Sequence, residues 1–250
     1  MEEHNEFSGK SAIYEKYRPS YPHDLMEHLS KGLGMSGTVV ADIGAGTGIF
    51  SRLLAAFADR VFSVEPNAEM RRANKKSSAD FKNITMADGT AEHTGLQRQS
   101  VDFVTAAQAF HWFDHDAFRI ECRRILEPHG KAVLVWNSID ADDDVIVSLG
   151  ELYKSIGRPY RGPSSEFLED DSVFRNFYRD GSFARNIFEN RYDATLDEFA
   201  GRHLSSSYAP MRGDKDYRKF RAGLEAIFER LEKGGKVALN YRAACYAGEV

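Results

Sequence analysis

The chain has 250 residues, of which 42% are hydrophobic and 28% charged, and its formal net charge is −5. This length suits one large domain, with or without an insertion, and the weakly acidic charge does not favour nucleic acid or an anionic membrane as a partner. The two cysteines, Cys122 and Cys245, form neither a metal-binding motif nor a disulfide framework. The acidic first segment does not resemble a signal peptide, and the apolar runs are too short to span a bilayer. We therefore expect a cytoplasmic protein that binds neither nucleic acid nor a membrane.

Short apolar strands alternate with amphipathic helices as far as Asn137. The predicted strands cover residues 38–43, 60–65, 83–88, 100–107 and 131–137. The helices between them cover residues 48–58, 67–76 and 114–126. Asn67 is the expected N-cap of the second helix, and Pro128 and Gly130 are expected to stop the third. Continuous Val, Ile and Leu runs are typical of strands buried on both faces, so the pattern predicts an α/β fold with a parallel sheet between helices.

The pattern changes after Asn137. Residues 138–182 contain DADDD, several glycines and many aromatic residues, and they predict a lid or insertion over a site. Residues 183–195 and 236–248 alternate like strands, and 219–231 has helical periodicity. We expect the two late strands to pair antiparallel at one edge of the sheet. The predicted organisation is one domain, 1–250, with a cofactor-binding core (1–137), the lid or insertion (138–182) and a C-terminal part of two strands and intervening helices (183–250).

The segment VVADIGAGTGIF, residues 39–50, places three glycines between a predicted strand and a predicted helix. Glycine lets the backbone approach a ligand closely, and free N–H groups at the start of a helix offer hydrogen-bond donors. Glu65 ends the next strand, where a carboxylate can accept hydrogen bonds from a ribose diol. This arrangement suits an adenosine-containing cofactor at the carboxyl ends of parallel strands.

Two cofactors compete for this loop, a dinucleotide and S-adenosylmethionine. The dinucleotide fingerprint is G-x-G-x-x-G, whereas this chain has G-x-G-x-G preceded by Asp42. An acidic residue beside the loop is a poor neighbour for a pyrophosphate and a good one for the ammonium group of S-adenosylmethionine. The charge pattern favours S-adenosylmethionine and leaves an NAD(P)-dependent oxidoreductase as the alternative.

Five motifs in chain order carry a family resemblance. They are YEKYRPSYP (14–22), VADIGAGTG (40–48), SVEPNAEM (63–70), ADGTAEHTGL (87–96) and SVDFVTAAQAFHWFD (100–114). Together they resemble the class I S-adenosylmethionine-dependent methyltransferases, in the small-molecule (type 11) branch of ubiquinone/menaquinone-pathway and trans-aconitate methyltransferase relatives. The resemblance implies a doubly wound, Rossmann-like sheet of seven strands, mostly parallel with an antiparallel last strand. It also implies S-adenosylmethionine as cofactor and a small-molecule methyl acceptor.

The resemblance further implies roles for particular residues. The residues that would hold the methionine part of the cofactor are Asp42, Gly44, Ala45, Gly46 and Thr47. Glu65 would bind the ribose, and the residues near the adenine would be Pro66, Met70, Asp88, Gly89 and Thr90. Gln108 and His111 would flank the sulfonium, and Tyr14 and Arg18 would cover the cofactor from the N-terminal segment.

Methyl transfer needs a general base only when the acceptor must lose a proton. His111 is the candidate base because it follows the fourth strand and has a suitable ordinary pKa; the alternative is that it only packs beside Trp112 and Phe113. His111 and His115 are four residues apart, but no third ligand is evident, so no metal site is expected. A cofactor-binding module without catalysis remains a third hypothesis.

Three basic features have two interpretations each. Arg18 could pair with the cofactor carboxylate or an acidic substrate, or lie on the surface. The run RRANKK (71–76) favours a solvated helix face over a nucleic-acid site. The lid carries a cluster that predicts either a pocket for an aromatic or carboxylate-bearing molecule or a small core of its own: Arg158, Tyr160, Arg161, Arg175, Tyr178 and Arg179.

Overall fold

The computed structural model describes residues 15–160, 162, 172–206 and 208–250. The predictions made for Tyr14 and Arg161 fall outside these ranges. The strands are β1 (Val39–Ile43), β2 (Arg60–Val64), β3 (Ile84–Ala87), β4 (Val101–Ala107), β5 (Leu126–Ile139), β6 (Ala184–Ala194) and β7 (Val237–Gly248). The helices are α1 (His23–Glu27), α2 (Ile49–Leu54), α3 (Ala68–Ser77), α4 (His115–Ile125), α5 (Asp144–Ser155), α6 (Ser172–Phe177), α7 (Leu196–Leu204) and α8 (Tyr217–Leu231).

All seven strands form one sheet in the order β3-β2-β1-β4-β5-β7-β6. The first five strands pair in parallel, and β7 pairs antiparallel with both β5 and β6. The predicted seven-stranded, mostly parallel sheet with an antiparallel last strand is therefore confirmed. Its parallel strands are buried on both faces, which explains their continuous apolar sequences.

Two predicted helix starts are confirmed by their caps. Asn67 Oδ1 accepts hydrogen bonds from the backbone N–H groups of Glu69 and Met70 at the start of α3. Asp114 accepts one from Ala117 at the start of α4. The predicted end of α4 was wrong: the helix ends at Ile125 and the chain enters β5 directly at Leu126, before Pro128 and Gly130. Gly130 lies against Asp102, since a Cβ there would come within 2.9 Å of that carbonyl oxygen.

The apolar residues form three cores. One lies on each face of the parallel sheet, and the third is built by α5, α7 and α8 over the far ends of β5 and β7. We call this third unit the cap; its centre contains Tyr153, Phe199, Phe220, Leu224 and Tyr241. In contrast, α6 packs into a sheet core through Phe174 and Phe177. The described part of residues 138–182 is thus shared between two cores and does not form a core of its own.

Candidate active site

A cavity opens at the carboxyl ends of β2, β1, β4 and β5, where ligands bind in open α/β sheets. Its walls come from the N-terminal segment, the glycine loop, the loops after β2, β3 and β4, the end of β5, and α7. The lining residues are Arg18, Pro19, Tyr21, Gly44, Ala45, Gly46, Thr47, Ile49, Phe50, Glu65, Pro66, Asn67, Met70, Thr90, Ala91, Glu92, Ala107, Gln108, Ala109, Trp112, Phe113, Asn137 and Arg202. Ten of the fifteen residues predicted from the sequence lie in this set.

The three glycines of the loop after β1 meet different surroundings. All three have positive φ angles, 68° at Gly44, 57° at Gly46 and 79° at Gly48. A Cβ on Gly44 would lie 2.7 Å from the Ala109 side chain, and one on Gly48 would lie 2.0 Å from Asn74. A Cβ on Gly46 would meet no atom within 4 Å. Packing therefore requires glycine at the two flanking positions, whereas Gly46 borders open space in the cavity.

The Glu65 carboxylate lies where β2 ends, in the wall of the cavity, and only 8% of the residue is exposed. Its Oε2 accepts a hydrogen bond from the Gly46 N–H at 2.9 Å, and its Oε1 accepts one from the Asn67 N–H at 2.8 Å. These two bonds fix the carboxylate between the glycine loop and α3. An oriented carboxylate in this place can accept hydrogen bonds from a diol.

Asp42 lies beneath the glycine loop and is not one of the lining residues. The residue is 1% exposed, and its carboxylate accepts hydrogen bonds from the hydroxyls of Ser51 (2.6 Å) and Thr105 (3.0 Å). Burial raises the pKa of Asp42 to about 6, the two hydroxyls oppose this rise, and the charge of Glu65 adds to it. The geometry does not support the expected direct contact with a cofactor, because the side chain points into the sheet.

Asp88 and Gly89 also lie outside the lining set. Asp88 pairs with Arg71 at 2.8 Å, and the Asp88 side chain is 71% exposed. Arg71 donates two further hydrogen bonds, to the carbonyls of Glu65 (2.7 Å) and Pro66 (2.6 Å). The sequence favoured a solvated helix face for the run RRANKK. That expectation is wrong for Arg71, because its guanidinium holds the turn that contains Glu65 through these hydrogen bonds. Residues 90–92 line the cavity in place of Asp88.

The segment after β4 places Gln108, but not His111, in the cavity wall. Gln108 has a positive φ of 56°, and its side-chain amide donates to the Asn137 carbonyl. His111 belongs to a short 3-10 helix, Phe110–Trp112, from which Trp112 lines the cavity. The His111 ring stands beside Trp112 and is not one of the lining residues, and its role as a base stays a prediction. His115 stacks on Phe110, and no cluster of metal-ligating side chains occurs among the described residues.

The N-terminal arm, residues 15–21, crosses over the cavity. Tyr17 donates to Asp197 of α7 at 2.8 Å, and its ring lies against Gly201. The Ser20 carbonyl accepts hydrogen bonds from Asn190 (2.9 Å) and Asn137 (3.3 Å). At its start, Glu15 pairs with Arg52 at 2.6 Å. These contacts bring Arg18 into the cavity wall.

The polar residues in the wall that were not predicted as site residues from the sequence include Asn137 and Arg202. Asn137 ends the apolar run KAVLVWN, and a polar residue at the end of a buried strand is a signal that could have identified it. Arg202 lies on α7 and its Nε donates to the Tyr241 hydroxyl at 2.9 Å. No local motif marks Arg202, because its position depends on packing of the cap.

Comparisons with known proteins show which family this chain resembles. A methyltransferase-domain family model matches residues 41–134. An uncharacterized methyltransferase of Schizosaccharomyces pombe is 34% identical over 97% of this chain and 96% of its own length. A second, methyltransferase-like protein of that organism is 33% identical over 65% of this chain, and the match spans 61% of that relative. A solved structure from Anaeromyxobacter dehalogenans, provisionally described as a type II methyltransferase, is 27% identical, with a TM-score of 0.64 over 93% of this chain and 98% of that one.

This chain belongs to the class I S-adenosylmethionine-dependent methyltransferases. Membership of this family implies S-adenosylmethionine as the cofactor and argues against the alternative of an NAD(P)-dependent oxidoreductase. The branch suggested by the sequence motifs stays a prediction. Within the described residues, none of the helices combines the length and apolar character needed to cross a membrane.

The cavity of this methyltransferase fits an adenosyl cofactor in two respects. Glu65 presents an oriented carboxylate for a diol. Thr47 is 1% exposed and lines the cavity, and its Oγ1 has no hydrogen-bond partner among the described residues. A buried hydroxyl of this kind calls for a polar ligand group, since an unsatisfied one costs about 1–3 kcal/mol.

The basic and aromatic cluster that the sequence placed in the predicted lid does not line this cavity, as far as its residues are described. Arg158 pairs with Asp214, and Tyr160 stacks on Tyr153 inside the cap. Tyr178 is buried, and its hydroxyl donates to the Tyr246 carbonyl. The hypothesis of a substrate pocket built from this cluster is wrong for these residues, which hold structure together.

Proposed function

We propose that this methyltransferase methylates a small-molecule acceptor, through a carboxylate or hydroxyl oxygen, by in-line displacement. When bound, S-adenosylmethionine supplies a methyl group already activated on a sulfonium, so that an acceptor lone pair forms the new bond while the electron pair of the C–S bond stays on sulfur. The chain itself must bind both partners, orient them and exclude water. The observation that carries the proposal is the cavity that runs from Glu65 to Asn137 under the N-terminal arm.

The cofactor end of the cavity lies over β2 and β1. We assign Glu65 to the ribose, and the backbone of residues 44–47 with the Thr47 hydroxyl to the methionine part. We assign Pro66, Met70 and Thr90 to the adenine. The order of the strands supports this assignment, because the glycine loop lies between Glu65 and the segment after β4. Asp42 acts indirectly, by holding Ser51 at the start of α2 beneath the loop.

The acceptor end lies over β4 and β5. Gln108 is held by the Asn137 carbonyl, and Trp112, Phe113 and Tyr21 provide apolar walls that exclude water. Among the described lining residues there is no histidine, cysteine or lysine. A carboxylate acceptor needs no base, since it is ionised at neutral pH. The absence of these side chains from the described wall favours a carboxylate acceptor, and Glu92 is the lining carboxylate next to the segment after β4 that could take a proton from a hydroxyl acceptor.

Methyl-labelled S-adenosylmethionine with a panel of small carboxylic acids and phenols tests this function. We expect label in at least one acceptor, a rate that does not require His111, and a lower rate in Glu65→Gln. The matched control is Glu229→Gln on the exposed part of α8. Tight binding of S-adenosylhomocysteine without transfer to any acceptor would support the non-catalytic binding module instead.

A further inference from the structure

The chain after β3 folds back on itself where it borders the cavity. We call residues 89–94 the β3 turn; its middle lines the cavity wall. The Thr90 N–H donates to the His93 carbonyl at 3.0 Å, and the His93 N–H donates to the Thr90 hydroxyl at 3.2 Å. The two ends of the turn are in contact, since a Cβ on Gly89 would lie 2.6 Å from the Thr94 carbonyl oxygen. The β3 turn is therefore a closed unit, and its position depends on what holds its ends.

The last residue of the β3 turn is bound to a buried carboxylate on α4. Thr94 is 1% exposed and Glu121 is 6% exposed. The backbone N–H and the hydroxyl of Thr94 both donate to Glu121 Oε1, at 2.8 Å and 2.5 Å. The same hydroxyl accepts a hydrogen bond from the Leu96 N–H at 3.2 Å. One oxygen of Glu121 thus fixes both the backbone and the side chain of Thr94.

Arg124, one helical turn later on α4, holds this carboxylate in place. Its guanidinium donates to the two oxygens of Glu121 at 2.6 Å and 2.7 Å, and to the Leu96 carbonyl at 2.8 Å. A bidentate contact fixes the relative orientation of the two planar groups. Burial disfavours the charged form of Glu121, but the hydrogen bonds from Arg124 and Thr94 outweigh it and lower the pKa of Glu121 to about 2. Thr94 therefore donates to an ionised carboxylate, which makes the stronger hydrogen bond.

A second contact ties the middle of the β3 turn to the start of the same helix. Glu92 Oε1 accepts a hydrogen bond at 3.1 Å from the backbone N–H of Asp114, the N-cap of α4. Spacings of seven and three residues place Asp114, Glu121 and Arg124 along one side of α4. The β3 turn is therefore attached to α4 at two points, one in the cavity wall and one behind it.

We propose that Glu121 is a positioning residue that holds the β3 turn in the geometry with which it selects adenine as the base of the cofactor. The inference rests on the proposed function, in which Thr90 contacts the adenine, and deepens it by naming a residue that sets base selectivity. Glu121 is not one of the described lining residues, so it acts through Thr94. Donors and acceptors distinguish two bases only when their positions are fixed, because a turn that shifts can adapt to either base.

The test compares two ligands that differ only in the base. S-inosylhomocysteine has an oxo group in place of the 6-amino group of S-adenosylhomocysteine, which reverses the hydrogen-bonding pattern of that edge. Calorimetry gives the affinity of each protein for both ligands, and the ratio of the two dissociation constants measures base selectivity. We expect the wild type to favour S-adenosylhomocysteine by about tenfold or more, and Glu121→Gln to bring the ratio to within about threefold of unity.

A matched pair of variants at Thr94 tests the same link while Glu121 stays intact. Thr94→Ser keeps the hydroxyl that donates to Glu121 and should keep the wild-type ratio. Thr94→Val keeps the shape of the side chain, loses this hydrogen bond and should lower the ratio. Asp116→Asn is the control on α4, because Asp116 is exposed. A merely structural role would weaken the binding of both ligands by the same factor and would leave the ratio unchanged.

A wild-type ratio retained in both Glu121→Gln and Thr94→Val would overturn the inference; if Glu121→Gln does not fold, the ratio in Thr94→Val alone decides. A wild type that binds the two ligands equally well would also overturn it, because the β3 turn then selects no base, although the proposed function would stand. If the wild type binds neither ligand, the proposed function fails and the inference fails with it. That result is seen before any variant is measured.

Discussion

The backbone N–H of Gly46 donates a 2.9 Å hydrogen bond to Glu65 Oε2 and so joins the glycine loop to the end of β2. The other oxygen is held by Asn67, the N-cap of α3. The Glu65 carboxylate therefore links the loop between β1 and α2 to the loop between β2 and α3 in the cavity wall. Our assignment of Glu65 to the ribose rests on this orientation.

Replacing Glu65 with glutamine tests that assignment with little change in volume. Hydrogen bonds to a charged group are worth about 1.5–3 kcal/mol, so we expect the dissociation constant for S-adenosylhomocysteine to rise by about 10- to 100-fold. Calorimetric titration of the variant and of Glu229→Gln measures the effect. Equal affinity in all three proteins would remove Glu65 from the ribose site.

Alanine at Gly46 and at Gly48 should have separable effects. At Gly48 the new Cβ collides with Asn74, which is fully buried and bonded to Ser63 and Ser78, and we expect a loss of about 2–4 kcal/mol in the free energy of unfolding. At Gly46 the new methyl group meets no protein atom and enters the cavity, so only the positive φ lowers the free energy of unfolding, by about 1–2 kcal/mol. Urea unfolding should rank Gly48→Ala as less stable, and calorimetry should show weaker cofactor binding in Gly46→Ala. The opposite ranking would mean that the loop packs differently.

Asp42 makes stability depend on pH in a defined direction. Its pKa is raised by burial from 3.8 to about 6, so the folded protein holds this proton over a range where the unfolded chain has lost it. Stability from this group is present below about pH 4 and is lost as the pH rises to about 6, by about 3 kcal/mol in total. The difference in unfolding free energy between wild type and Asp42→Asn should fall by that amount from pH 4 to pH 7. A difference that does not change with pH would contradict the raised pKa.

Arg71 and Asp88 should respond differently although they form one ion pair. Arg71→Ala removes two hydrogen bonds to the carbonyls that precede α3, so we expect weaker cofactor binding, by about tenfold. Asp88→Asn alters a largely exposed carboxylate, and exposed pairs are worth about 0–1 kcal/mol, so its affinity should stay within about fivefold of wild type. If Asp88→Asn instead has the larger effect in calorimetry, Asp88 contacts the adenine directly, as the sequence motif suggests.

Much of this fold can be predicted because the sequence signals for its strands and helix starts lie within a few residues of each element. Apolar runs give β1, β2 and β4 within a residue or two, and Asn67 and Asp114 cap helices by bonds to residues two or three positions away. The glycine loop and Glu65 are found because their strand–turn–helix context is contiguous. Local sequence patterns do not predict the position of a side chain that depends on contacts with residues distant in the chain. Asp42 looks like a ligand-binding residue beside the loop, but Ser51 and Thr105 draw it into the sheet, and Arg202 enters the cavity only because α7 packs on β7 and the arm.

The most direct test of the cofactor assignment is thermal unfolding with S-adenosylmethionine, S-adenosylhomocysteine or NAD. We predict that both adenosyl compounds stabilise the protein, by about 2.7 kcal/mol at 100 times the dissociation constant, and that NAD does not. The Glu65→Gln variant should need about 10- to 100-fold more ligand for the same shift. Stabilisation by NAD without stabilisation by either adenosyl compound would contradict the assignment of this cavity.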